Sequence, residues 1–191
     1  MPNAIALLKS DHATVKRLLR ELDGTTERAT KERKRLVDKI EEELKIHSQI
    51  EEELFYPTFK KAAEDTPAED LFYEATEEHH VVDMVLPALK SSNPSSHEFT
   101  AKAKVLKDLV EHHAQEEETQ MFVKARTLLD DDQLRALGDE MQKRKKQLQE
   151  MWSNPILKPV KTIQSVIHKV TPTKIKNAKA NAIAAMHDER R

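Results

Sequence analysis

Over the first 152 residues, apolar side chains recur every three or four positions, the period of a helix that buries one face. The first stripe reads Ile5, Leu8, His12, Val15, Leu19, Leu22 and ends at Asp23-Gly24. The second, over about 30–59, reads Val37, Ile40, Leu44, His47, Glu51, Leu54, with Pro57 limiting its last turn. The third is predicted to start at a capping box, Thr66 with Glu69, with Pro67 at the first helical position. It reads Phe72, Ala75, His79, Val82, Leu86, Leu89, and Pro87 with the segment Ser91-Ser92-Asn93-Pro94 closes it. The fourth is predicted to open with a capping box of Ser95 with Glu98 and reads Phe99, Ala103, Leu106, Val110, His113, Glu117, Met121. A fifth follows Asp130-Asp131-Asp132 with Leu134, Leu137, Met141, Leu148 and Met151 or Trp152. No segment shows the alternation of a strand. Four long helices, each with one narrow apolar stripe and short connections, predict an all-α, up-down-up-down four-helix bundle with an additional C-terminal helix.

Composition narrows the function classes. Two glycines in 191 residues are too few for the turns of a sandwich, barrel or dinucleotide-binding sheet. The absence of cysteine excludes disulfides, iron–sulfur clusters, thiolate-ligated zinc and a thiol nucleophile. No apolar run reaches the roughly 18 residues of a membrane span. Lys9, Asp11, Lys16 and Arg17 stand where a signal peptide is apolar, so the sequence reads as cytoplasmic. The net charge of −2 conceals an asymmetry: residues 153–191 carry +6 and the remainder −8. The predicted division is therefore a bundle over 1–152 and a basic extension, helical or partly disordered, over 153–191.

The stripes carry polar residues where a core expects none. His12, His47, His79 and His113 each sit mid-stripe, one per long helix, and Glu51 and Glu117 follow two of them one turn later. Residues four apart stack on one helix face, so each His–Glu pair points the same way. His47 and His79 both lie about twelve residues from the connection between their helices, roughly 18 Å at 1.5 Å per residue, so one layer of the bundle can hold the set. A buried carboxylate must be paired, hydrogen-bonded or bound to metal, and no Lys or Arg shares these stripes. Four imidazoles and two carboxylates exceed one tetrahedral zinc site. They suit two ions bridged by the glutamates, with iron or manganese favoured by a donor set without sulfur. His80 adjoins the stripe on a more polar face with Tyr73, Thr76 and Asp83. His112 shares its face with Val105, Leu109 and Glu116, a poorer stripe than that of His113, and both read as surface residues or partners of the ligands. His97, His168 and His187 have no evident partners.

At these residues the chain resembles the hemerythrin-like, or HHE cation-binding, domains. The resemblance is carried by Ser10-Asp11-His12, by His47 to Pro57 (HSQIEEELFYP), by Glu77-Glu78-His79-His80, and by Glu111 to Glu118 (EHHAQEEE), over about residues 1–128. It implies a non-haem di-iron centre held by His12, His47, Glu51, His79, His113 and Glu117, with the two glutamates bridging. Oxygen-carrying members place a second histidine one turn along the third helix, where this chain has Asp83. A weak ligand, a partner of a ligand, or an open coordination position are the alternatives there, and each disfavours reversible oxygen carriage.

The expected function is that of a di-iron protein that binds or senses O2 or a related small oxidant such as NO or peroxide, in iron handling or oxidative and nitrosative stress. A redox enzyme on the same centre and a metal-free helical interaction module are the alternatives. The basic tail reads as one or two helices packed on the acidic bundle, or partly disordered, or as a docking element for an acidic partner, a membrane surface or nucleic acid. With no aromatic residue beyond Trp152, base stacking on nucleic acid is not expected.

Overall fold

The computed structural model describes residues 2–154, so the predictions for the basic extension, His168 and His187 lie outside the described residues. Helix α1 spans Ala4–Asp23 and α2 spans Thr30–Ile50, running into a π-helical turn, Glu51–Phe55, and then α3, Tyr56–Ala63. Helix α4 spans Glu69–Ser91. Helix α5, His97–Glu116, runs into a second π-helical turn, Glu117–Met121, and then α6, Phe122–Leu128. Helix α7, Asp131–Ser153, follows. The two π-containing rods, α1 and α4 form the four-helix bundle, and α7 packs across α1 and α2. No helix among the described residues is long and apolar enough to cross a membrane.

The helix starts refine the predicted caps. Asn3 caps α1 by accepting from Ala6 N at 2.9 Å. Asp130 and Gln133 form a reciprocal capping box at α7. The other two boxes are not those predicted. Helix α5 is capped by Ser96, which accepts from Phe99 N, one residue beyond Ser95. The Thr66 hydroxyl donates to Ala63 O, Asp65 has a positive φ of 60°, and α4 starts after Ala68 with no side-chain cap. Proline is tolerated more widely than expected: α4 continues through Pro87 to Ser91, and Pro57 sits in the first turn of α3.

The apolar side chains form two clusters. One gathers Ile5, Leu8, Ile50, Phe55, Phe59 and Phe122 with Leu134 and Met141 of α7. The other gathers Val15, Leu19, Ile40, Leu86, Phe99 and Leu106 at the far end. The polar layer of histidines and glutamates lies between them, so both of its faces are closed by hydrocarbon. Helix α7 approaches the start of α1 so closely that a Cβ at Gly138 would stand 2.7 Å from Ala4 N, Asn3 C and Pro2 O. Glycine is required there by backbone contact.

Candidate metal centre

All six predicted donors meet in this layer, each no more than 6% exposed. Their atoms fall into two overlapping groups, His12 with His47, Glu51 and Glu117, and Glu51 with His79 and His113, each within 4.8 Å. His12 Nε2 lies 3.1 Å from Glu117 Oε2 and His47 Nε2 3.2 Å from Glu51 Oε2. His79 Nε2 lies 3.4 Å from Glu51 Oε2 and His113 Nε2 3.6 Å from Glu117 Oε2. The glutamates thus stand between the two imidazole pairs, and the ring centroids within each pair are 4.8 Å apart.

Every imidazole also has a carboxylate behind it. His12 Nδ1 is 3.0 Å from Glu118, His79 Nδ1 2.9 Å from Glu52, His113 Nδ1 2.7 Å from Glu78 and His47 Nδ1 3.8 Å from Asp11. A carboxylate on Nδ1 fixes the tautomer and turns Nε2 inward as a donor, the usual support of a metal-ligating histidine. Lys145 of α7 pairs with Asp11, and Arg144 grips Glu53 in the first π-helical turn at 2.6 and 2.9 Å. Helix α7 therefore braces the site as well as the core.

The layer repeats itself within the chain. His47, Glu51, Glu52 and Tyr56 correspond to His113, Glu117, Glu118 and Phe122, each offset by 66 positions. Asp11-His12 and Glu78-His79 form the matching pair on α1 and α4. Each π-helical turn begins at a glutamate of the layer and inserts an extra residue, so that consecutive side chains, Phe55-Tyr56 and Met121-Phe122, are both buried. Phe122 stacks on His12 at 5.8 Å and 9°, and Tyr56 lies against His79 at 5.4 Å. The Tyr56 hydroxyl breaks the symmetry: it donates to Glu117 Oε1 at 3.0 Å and is 3.3 Å from His79 Nε2.

Burial sets the protonation of these groups. It pushes His47 down to about 4, against the opposing pull of Asp11. Burial also disfavours charge on His12 and His113, but Glu117 and the outer carboxylates outweigh it and raise both. Glu51 is raised well above the carboxylate range by burial and by the facing charge of Glu117. Glu117, equally buried, is lowered by His113 and His12. Burial and the neighbouring carboxylates raise Tyr56 well above 10, so its hydroxyl keeps its proton.

The donor chemistry fits a metal. Among the described residues, the buried side-chain atoms without a hydrogen-bond partner are Asp11 Oδ2, His12 Nε2, both His47 nitrogens, both Glu51 oxygens and Glu117 Oε2. All belong to this layer. Asp11 Oδ2 and His47 Nδ1 face each other at 3.8 Å, and the other five point inward. An unsatisfied buried polar group costs about 1–3 kcal/mol, more when charged, so five in one place call for a shared partner. A cation in each of the two groups would satisfy the inward-facing atoms together.

Asp83 is not part of the centre. It pairs with Lys45 at 2.5 Å, and the polar groups beside His79 beyond the six donors are the Glu52 carboxylate, 2.9 Å from Nδ1, and the Tyr56 hydroxyl, 3.3 Å from Nε2. His80 and His112 are each 63% exposed, as their faces predicted. His97 is exposed and pairs with Glu27 at 2.8 Å. Sequence reasoning missed Tyr56 and the outer carboxylates. Their signal was the repeated spacing: an acidic residue adjoining His12, Glu51, His79 and Glu117, and an aromatic five positions after each glutamate of the layer.

The chain is similar to known proteins. Over 144 residues the chain is 25% identical to a protein described as a DNA nickase from Nostoc sp. strain PCC 7120, covering 75% of this chain but only 39% of that protein. It is 30% identical over 147 residues to the uncharacterized protein Rv2633c of Mycobacterium tuberculosis, covering 76% and 87% of the two chains. The crystal structure of the Rv2633c homolog from Mycobacterium kansasii, a hemerythrin HHE cation binding domain-containing protein, superposes with a TM-score of 0.69 at 31% identity. That superposition covers 78% of this chain and 89% of the other. Residues 3–125 match the hemerythrin HHE cation binding domain, and the chain belongs to that family.

Proposed function

We propose that the protein holds a non-haem di-iron centre on His12, His47, Glu51, His79, His113 and Glu117, and uses it to bind or sense O2 or a related small oxidant, NO or peroxide. The observation that carries this reading is the cluster of orphaned, inward-facing nitrogen and carboxylate atoms, sealed between two apolar clusters. Two irons so held supply a pair of one-electron redox centres with affinity for diatomic ligands and peroxide. The chain's own contribution is positional. Asp11, Glu52, Glu78 and Glu118 orient the imidazoles, Glu51 and Glu117 stand between the two pairs, and the apolar clusters exclude bulk water. Six carboxylates around the imidazoles favour the higher oxidation state, which supports a reactive or sensing centre over a reversible carrier.

One observation favours a second reading, a redox enzyme on the same centre. The buried Tyr56 hydroxyl retains its proton and lies within hydrogen-bond reach of Glu117 and His79. A proton donor at that place serves a reaction that reduces an oxidant and protonates the product.

The test is anaerobic reconstitution of the full chain with Fe2+, followed by metal analysis and optical spectra on mixing with O2, NO or hydrogen peroxide. Two irons per chain and oxidant-dependent absorption are expected. One ion or none overturns the di-iron reading. Sustained consumption of oxidant in the presence of a reductant selects the enzyme over the sensor.

A further inference from the structure

The six inner donors are too buried to take an ion directly from solvent, so loading needs a route. A pocket opens between α4 and α5. Glu74, Glu78 and Glu116 stand at its rim, Ala75 and Met121 form its walls, and Glu117 lies at its floor. Glu117 is 2% exposed, and its Oε2 has no hydrogen-bond partner. The pocket therefore runs from a surface group of carboxylates to Glu117, a buried residue of the layer.

His112 completes the outer group. Its Nε2 is 3.7 Å from Glu78 Oε1 and 3.6 Å from Glu116 Oε1, and one donor atom from each of the three lies within 4.8 Å of the others. Glu78 faces both ways, because its other oxygen is 2.7 Å from His113 Nδ1. Of the other outer acids, Glu118 pairs with Lys16 at 3.1 Å and Asp11 with Lys145, while Glu52 pairs, among the described residues, with His79 alone. Among the described residues, no Lys or Arg pairs with Glu74, Glu78 or Glu116, so the negative field of the pocket is left for an incoming cation.

We propose that this pocket is the path by which divalent metal ions reach the centre, and that Glu78, His112 and Glu116 form an outer capture site that passes the ion inward to Glu117. Two carboxylates and one imidazole, with water completing the shell, bind a hydrated dication loosely enough to release it. The pull of the buried donors gives the transfer its direction. The proposal rests on the inner layer taking metal, and the experiment reads the two claims separately.

Apoprotein of the full chain is mixed anaerobically with limiting Fe2+ in a stopped-flow instrument. The uptake rate is read from the quenching of Trp152 fluorescence or by timed chelator quench, and the final metal content is measured afterwards. The double variant His112→Ala/Glu116→Gln should take up Fe2+ about tenfold more slowly yet reach the wild-type content and spectrum. Glu116→Lys should slow uptake further. Glu77→Gln, on the exposed face beside His80, should load at the wild-type rate. If the double variant loads as fast as wild type, the pocket is not the path. If it loses metal at equilibrium, His112 and Glu116 belong to the centre itself and the capture role is wrong. Wild-type protein that takes up no metal overturns the functional reading instead.

Discussion

Replacing Tyr56 by Phe removes one oxygen from the centre and little else. The ring packs between Phe55, at 6.1 Å, and Phe72, also at 6.1 Å, and those contacts survive the change. Phe122 at the corresponding position of the second rod shows that the fold accommodates Phe beside a histidine of the layer. The lost interaction is a buried O–H to carboxylate hydrogen bond of 3.0 Å. Hydrogen bonds to charged groups contribute about 1.5–3 kcal/mol, and removing the hydroxyl also removes its own desolvation cost, so a net loss of about 1–2 kcal/mol follows. For a domain of this size that lowers the Tm by about 2–8 °C. Metal content should be unchanged, because the six donors are intact. The chemical consequence is larger than the thermal one. If the Tyr56 proton enters the rate-limiting step with oxidant, its loss slows that step about 10²-fold or more, the usual scale for a positioned acid. Stopped-flow mixing of the reduced iron protein with hydrogen peroxide measures this directly. Wild-type rates in Tyr56→Phe, at equal metal content, would refute the role of the hydroxyl as proton donor.

Three further outcomes follow from the geometry. Asp83→His should leave metal content, spectrum and the lifetime of any O2 adduct nearly unchanged, because Asp83 lies in a surface pair with Lys45; a longer-lived adduct in stopped-flow spectra would place it back at the centre. Asp11→Asn removes the carboxylate behind His47 and should weaken binding of one metal ion about 10–100-fold in chelator competition, with the second ion less affected. Gly138→Ala should destabilise the fold by about 1–3 kcal/mol, read as a lower denaturant midpoint, because its Cβ meets only backbone atoms at 2.7 Å; an unchanged midpoint would mean that α7 slides freely on α1.

The bundle and the convergence of six buried histidines and glutamates were legible because burial and helical period act on every residue of a stripe. Ile5 to Leu22 on α1 and Phe99 to Met121 on the α5 rod are buried at every predicted position. The second stripe failed at one place, and the reason is physical. The sequence rule stepped from Glu51 to Leu54, but the π-helical turn adds a residue, so Phe55 and Tyr56 enter the core and Leu54 is only partly buried. A π-helical turn uses the same residue types as an α-helix, and its trace here is an adjacent pair of large side chains where a stripe needs one. Tyr56 was hidden by the same shift. The capping boxes at Thr66 and Ser95 failed because Ser, Thr and Glu at these spacings also occur in turns that satisfy their hydroxyls otherwise, as Thr66 does with Ala63 O. The outer carboxylates were present in the motifs but lie on polar faces, where an acid beside a ligand looks like any solvated acid.

The repeated arrangement of the layer bears on how the chain is held together. The α1 and α2 half supplies two imidazoles and a glutamate to one group of donors, the α4 and α5 half supplies two imidazoles to the other, and the glutamates stand at the seam. Neither half contains a complete set, because Glu117 completes the first group and Glu51 the second. An ion held by both halves would close a loop of 66 positions, from Glu51 to Glu117, in a chain with no cysteine. Closing a loop of that length by a covalent bond removes roughly 4 kcal/mol of unfolded-state entropy in the chain-entropy treatment. Metal here would act as the crosslink that a disulfide provides in an oxidising compartment, but one whose strength follows the supply of the ion.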